Sequence, residues 1–398
     1  MKIRLKNILK SSRLVYFIYY FFFSYLLKTI GLFIKTDNNL ALFVVYGGKK
    51  YDDSPRFIYE YIKNNPKYKK IKCIWALQQP KNYDLPSNEK IMIDSPRFFY
   101  FALRAKYWIT NSSVDRGLDF KKKNTNIIRF AHGTMGLKKI GNDLPVNTKS
   151  FGKVYQSKSN KNDIDMLVIQ GSREKDLIIR ARQIEAEKIY DLGLPRNDEL
   201  TQISKDNVIN LKRQLKIPTN KKVILYAPTY REYLKDNSFS NYLKSPFNFE
   251  LWEKELGEKY VLLYTAHYEV AKVLDIPKDS PFIIDALNYP YINDLMIVSD
   301  IMISDYSSIV FDYTILERPI FCFGYDFDTY IKERGSYFDL NNFFSKGVIQ
   351  DERSLIDEIR NINYEEECKY SRMLKEKYIA NYGNATEKSV EKIFKDLI

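Results

Sequence analysis

Three cysteines in 398 residues, Cys73, Cys322 and Cys368, stand far apart and form no CxxC pair. That excludes a disulfide framework and a cysteine-based zinc site, and it fits a reducing compartment. Glycine (15) and proline (14) are scarce, which excludes collagen-like or linker-like sequence. Histidine is scarcer still. Only His132 and His267 are present, so a His-rich metal cluster is excluded and any imidazole chemistry must use one or both. The signatures GxxxxGKS/T, GxGxxG and GxSxG are missing, leaving P-loop, dinucleotide-fingerprint and serine-hydrolase readings without support. Asp163-Ile-Asp165 and Asp326-Phe-Asp328 have DxD spacing, but two such pairs are expected by chance in a chain that is 28% charged.

What is present is apolar, aromatic and basic. With 45% hydrophobic residues the chain can bury one or two good cores, which excludes a disordered protein. At about 150 residues per domain, two large α/β lobes are the simplest arrangement. Lys+Arg (63) exceed Asp+Glu (50), a net charge of +13 that expects an anionic partner: nucleic acid, anionic lipid or a phosphorylated substrate. The 32 Tyr and 25 Phe suit a membrane-interface protein as well as a nucleic-acid binder.

Residues 1–13 carry Lys2, Arg4, Lys6, Lys10 and Arg13 and no acid; residues 14–34 are apolar and aromatic except for Ser24, Lys28, Thr29 and Gly31. No small-residue cleavage site follows, which argues against a removed signal peptide. Three readings remain: an in-plane anchor on anionic inner-leaflet lipids, a spanning helix that only just reaches the required length with Lys28 inside it, and a buried core helix. The basic flank and interfacial tyrosines favour the in-plane anchor.

Beyond the anchor, short apolar runs alternate with helical stretches. LALFVVYGG (40–48), IKCIWALQQP (71–80), KYWITNSS (106–113), IIRFAHGT (127–134), KKVILYAPTY (221–230) and YVLLYTAHY (260–268) read as strands, and 300–326 as strand, tight turn, helix, strand. This is the pattern of βαβ units and parallel sheets. The expected organisation is a membrane-associating helix (1–36), a first Rossmann-like lobe (37–200), a second (201–380) and a C-terminal amphipathic helix (381–398). Open parallel sheets bind ligands beyond the carboxyl ends of their strands. His132, Thr229, His267 and Asp305 all fall at such ends.

Each of these positions has a plain alternative. His132 is followed by Gly133, which permits close backbone approach, by Thr134, and by Lys138 and Lys139, a basic setting for a general base beside an anion. A buried, hydrogen-bonded histidine at a turn is about equally expected. Ser307 and Ser308 stand where a helix begins, with Asp305 before it and Asp312 inside it. This suits phosphate binding or simple N-capping. Arg231, after Thr229, is placed to neutralise a phosphoryl group or to pair with Glu232. His267, taken alone, is more often structural.

Taken together, AHGTMGLKKIGND, GLPRND, LYAPTYRE, His267, NYPYINDLMIVSDIMISDYSSIVFDY and RPIFCFGYDFDTYIKERGSYFDL resemble, in that order over residues 40–380, the CDP-glycerol glycerophosphotransferase family. These are the teichoic-acid primases and polymerases and their capsule-synthesis relatives. The resemblance implies a GT-B fold, two Rossmann-like doubly wound lobes facing a cleft, the first (37–200) the acceptor lobe and the second (201–380) the CDP-polyol donor lobe, at the cytoplasmic face of the membrane. It implies transfer of a polyol phosphate from CDP-glycerol or CDP-ribitol to a hydroxyl of a lipid-linked polyprenyl-diphosphate saccharide or polyol-phosphate polymer, with release of CMP. His132 would be the base and His267 would assist at the donor phosphates. Thr229, Arg231, Ser307 and Ser308 would hold those phosphates, with Asp305 and Asp312 supporting that lobe. Gly133, Thr134 and Lys138 would lie on the acceptor side, and residues 285–294 near the cytidine. This reading fixes no cofactor and leaves a role for Mg²⁺ open, and no nucleic-acid partner is implied. Ala131, Met135 and Tyr268 depart from the aromatic residue and prolines common in the family. The length leans toward a single-addition enzyme. A nucleotide-sugar glycosyltransferase of the same fold, and a non-catalytic basic protein binding membrane or nucleic acid, are the competing readings.

Overall fold

Runs such as Leu40–Val44 are apolar at every position, not at alternate ones, which suits strands covered on both faces. In the computed structural model of the protein, which describes residues 13–144, 164–229, 246–265, 277 and 280–397, they form two all-parallel sheets. The first contains β1 (Asp37–Val44), β2 (Lys72–Leu77), β3 (Lys90–Met92), β4 (Ala105–Thr110), β5 (Asn126–Phe130), β6 (Met166–Val168) and β7 (Ile189–Tyr190), in the order β3-β2-β1-β4-β5-β6-β7. The second contains β8 (Lys222–Tyr226), β9 (Tyr260–Tyr264), β10 (Ile283–Asp285), β11 (Ile301–Ser304), β12 (Ile320–Phe323) and β13 (Val348–Ile349), in the order β10-β9-β8-β11-β12-β13. Counted from its own first strand, each sheet runs 3-2-1-4-5-6, the doubly wound Rossmann order, and the first adds a seventh strand at its edge. The expected fold class, two Rossmann-like units of GT-B type, is the one observed.

The chain is not divided linearly. The described residues 13–132, 164–196 and 384–397 pack with the first sheet, and 133–144 together with 197–383 (as described) pack with the second. This differs from the expected partition at 200 and 380 for two physical reasons. The C-terminal helix Ala385–Ile393 buries Val390, Ile393 and Phe394 in the first core, where the Phe394 ring lies 4.9 Å from that of Tyr107. Residues 133–144 send Leu137 into the second core. The chain therefore leaves the first unit between His132 and Gly133.

The N-terminal helix, α1 (Arg13–Phe33), has one attached face. Tyr20 and Leu27 are buried with Phe98, Leu103 and Phe120, and Gly31 lets the helix approach Leu103 closely. Ser24 Oγ accepts from the Asp119 N–H, and Lys28 pairs with the Asp119 carboxylate. Its other face exposes Leu14, Ile18, Phe21, Phe22, Tyr25, Leu32 and Phe33. The buried-core-helix expectation is thereby corrected: residues of that face cannot all point inward when one narrow stripe makes the contacts. By length and composition, Leu14–Phe33 is apolar enough to cross a membrane.

Candidate active site

The second sheet reverses direction between β8 and β11, the switch point at which open sheets bind ligands. Asp305, fully buried, leaves β11 and braces this point: one carboxylate oxygen accepts from the Thr229 N–H at 2.8 Å and from the Tyr306 N–H at 2.6 Å. Ser304 Oγ adds a bond of 2.7 Å to the Ala227 carbonyl. Thr229 and Asp305, singled out separately in the sequence, are thus one structure. Because its carboxylate is used across the strands, Asp305 does not cap the following helix.

That helix, Ile309–Thr314, has only six residues, and its start is weakly capped. Ser307 Oγ accepts from the Ile309 N–H at 3.4 Å, and Ser308 makes no capping bond. The capping alternative is weak, and the short helix contributes little dipole. Asp312, buried within it, accepts from the Asn197 amide at 2.8 Å, which ties the helix to the GLPRND segment.

Gly133 lies against this place. A Cβ at Gly133 would stand 2.3 Å from Ser308 Oγ and 3.1 Å from its Cβ, so only glycine lets the backbone lie against Ser308. Next to it, Thr134 is buried, and its hydroxyl has no hydrogen-bond partner among the described residues. Farther along, the Lys139 N–H donates to the Gly335 carbonyl and the Ile140 N–H to Tyr337 Oη, whose own hydroxyl donates to Asp143. Gly136, at φ +147°, admits the Phe338 ring. The 335–338 turn is thus a clamp on residues 133–144, a role the sequence reading did not assign. Lys138 lies half-buried on the same segment, and His132, one peptide bond before Gly133, is exposed, not buried. His267 and Arg231 lie outside the described residues. In 285–294, Asp285 accepts from the Leu287 N–H and Tyr289 donates to Asp294. Among the described residues no cluster of three His, Cys, Asp or Glu is gathered to hold a metal ion. Asp326, half of one DxD pair, accepts from Tyr306.

The first sheet has its own switch point, between β1 and β4, and the sequence reading missed it. Asp53 is buried there at φ +61° and receives the Tyr46 hydroxyl (2.9 Å), the Asn111 amide (2.7 Å), the Ser54 N–H (2.6 Å) and Arg196 (3.4 Å). Burial alone would raise its pKa. The Arg196 guanidinium and these hydrogen bonds outweigh that and hold the carboxyl below its usual value.

Comparison with known proteins agrees with this architecture. The family model for CDP-Glycerol:Poly(glycerophosphate) glycerophosphotransferase matches residues 26–395. A teichoic acid poly(glycerol phosphate) polymerase of Staphylococcus epidermidis is 33% identical over 83% of this chain and 47% of its own length. A teichoic acid glycerol-phosphate transferase of Staphylococcus aureus is 32% identical over 84% of this chain and 87% of its own. The chain thus spans about half the length of one of these relatives and most of the other. The solved structure of the wall teichoic acid polymerase TagF superposes with a TM-score of 0.82 at 29% identity, covering 91% of this chain and 90% of that one. A His-to-Asn variant of TagF soaked with CDPG gives 0.81 at 28%. With the family model covering nearly the whole chain, this protein belongs to the CDP-glycerol:poly(glycerophosphate) glycerophosphotransferase family.

Proposed function

We propose that this chain transfers glycerol phosphate, or a related polyol phosphate, from a CDP-activated donor to a hydroxyl of a lipid-linked or polymer acceptor, releasing CMP. The observation that carries the reading is the approach of Gly133 to Ser308. It sets Gly133, the residue that follows His132 in the chain, against the switch point where Thr229, Asp305, Ser307 and Ser308 meet. The Thr134 hydroxyl, buried and without a partner among the described residues, supplies a donor for a phosphate oxygen there.

In the proposed step, the His132 imidazole takes the proton of the acceptor hydroxyl. The freed oxygen attacks the polyol-bearing phosphorus, and the bond from that phosphorus to the bridging oxygen breaks. CMP leaves with the bridging oxygen and its electron pair. His267 and Arg231 are assigned to the charge of the diphosphate and Lys138 to the acceptor side, and Mg²⁺ carried in with the donor would add to that neutralisation.

The membrane reading rests on α1. Its contacts through Tyr20, Ser24, Leu27 and Lys28 hold one face to the protein, which favours a helix lying in the membrane plane at the cytoplasmic surface, its outward aromatic face in the lipid. Mass spectrometry of products from CDP-glycerol, CDP-ribitol and UDP-sugars with lipid-linked acceptors tests the chemistry. We expect CMP release with a CDP-polyol, lowered about 100- to 10,000-fold in His132→Ala. Wild-type turnover in that variant would remove the base assignment, and turnover with a UDP-sugar alone would replace the transferase by a glycosyltransferase.

A further inference from the structure

Strands β1, β4 and β5 are neighbours in the first sheet, and their carboxyl ends lead in turn to Tyr46, to Asn111 and Ser112, and to His132. At a strand spacing of about 4.8 Å, the ends of β1 and β5 are roughly 10 Å apart. All these residues belong to one packing unit, so His132 and the Asp53 cluster occupy the same sheet edge. The turn after β1 is unusual: Tyr46, Gly47, Gly48 and Asp53 all have left-handed φ, from 47° to 80°, a conformation that persists in side-chain-bearing residues only when neighbours enforce it.

The chemistry of the cluster narrows what it would bind. Asp53 offsets the charge of Arg196, and both its carboxylate oxygens are engaged by Tyr46, Asn111, Ser54 N–H and Arg196. Beside Gly47, the Arg116 guanidinium is likewise paired, with Asp94, and the turn also presents hydroxyls. Tyr46 is 37% exposed, and Ser112, half-buried, accepts the Gly47 N–H at 3.0 Å. Ser54, the residue after Asp53, is fully buried, yet its hydroxyl has no hydrogen-bond partner among the described residues. Buried hydroxyls are rarely left so, because the unmade bond is costly.

We propose that this edge is a hydroxyl-binding subsite for the polyol end of the acceptor, contacted by Tyr46, Ser54 and Ser112, with Asp53 and Arg196 as positioning residues. The inference rests on the transferase reading for the identity of the occupant. The acceptor, not the donor, is assigned here because the same edge carries His132, which takes a proton from the acceptor hydroxyl.

Ser54→Ala separates this role from a structural one. Removing a buried hydroxyl that bonds nothing leaves thermal stability unchanged or raised. The subsite predicts, in addition, a roughly 3- to 10-fold rise in KM for a water-soluble acceptor ending in glycerol phosphate, with kcat and the KM for CDP-glycerol unchanged. Tyr46→Phe, at the exposed rim, shifts acceptor KM in the same direction. A binding arm uses sn-glycerol 3-phosphate alone: it raises Tm in the wild type and does so less in Ser54→Ala. Unchanged acceptor KM in both variants overturns the subsite. So does a rise in donor KM instead, which would make the donor's own polyol the occupant. A thermal response that is absent in the wild type, or identical in wild type and variant, also overturns it. Loss of the transferase reading itself would show as a wild type with no turnover, and the binding arm still decides the subsite.

Discussion

The two sheets share one strand order and differ in how their switch points are held. At the β8/β11 point, Asp305 bonds backbone N–H groups on both strands, and side chains with short hydroxyls are left around a glycine approach. At the β1/β4 point, Asp53 binds side chains from three parts of the chain and is matched by a cation. The first arrangement fixes main chain and leaves hydroxyls for an anion. The second fixes side chains and cancels its own charge. On the proposed reading, one topology serves a diphosphate at one edge and hydroxyls at the other, and the difference lies in where a single buried aspartate places its hydrogen bonds.

The comparison breaks most visibly at Gly133. Gly133→Ala places a methyl within 2.3 Å of Ser308 Oγ, and we expect a loss in kcat/KM of about 100-fold from displacement of the His132 loop. Ser308→Ala in the same chain relieves the Oγ clash but leaves a 3.1 Å contact with Cβ, so recovery should be partial in a double-mutant cycle. No recovery would mean that the hydroxyl of Ser308 itself is needed.

A smaller effect tests the main-chain brace. Asp305→Ala strands the Thr229 and Tyr306 N–H groups, at a cost of about 2–4 kcal/mol. Hydrogen exchange should then speed up in the amides of β8 and β11 while β1 and β4 are unaffected. Uniform acceleration in both sheets would deny that the two edges are held independently.

The smallest is a pH effect on the first edge. Asp53 titrates below its unfolded value, so its contribution is complete above about pH 4, where an unfolded aspartate is ionised, and is lost as pH falls through the lower folded pKa. Asn tolerates the left-handed backbone. Asp53→Asn should therefore lower stability near neutrality and flatten its decline in acid, read from urea midpoints against pH. An unchanged acid slope would show that other carboxylates dominate.

How much of this could be read in advance depended on the kind of signal. The long strands β1, β2, β4, β8 and β9 announce themselves because burial on both faces requires unbroken apolar runs. Strands of two or three residues, such as β7, β10 and β13, carry no period to detect. The β8/β11 edge was visible because Thr229, Asp305 and the two serines directly follow apolar strands. The Asp53–Arg196 pair was not: its members are 143 residues apart, and a left-handed aspartate leaves no mark in composition. The clamp at 335–338 lay inside a family motif but had no chemistry to suggest its task. The sequence division erred where chain order and packing order separate, at 133–144 and at 384–397.

The attached face of α1 has a practical consequence. Cutting away the first 34 residues to obtain a soluble sample would strip the cover from Phe98, Leu103 and Phe120 and trade a lipid-seeking surface for an aggregating one. Recoding only the outward positions Phe21, Phe22, Tyr25, Leu32 and Phe33 to polar residues would keep that cover in place, and is the better route to a detergent-free preparation.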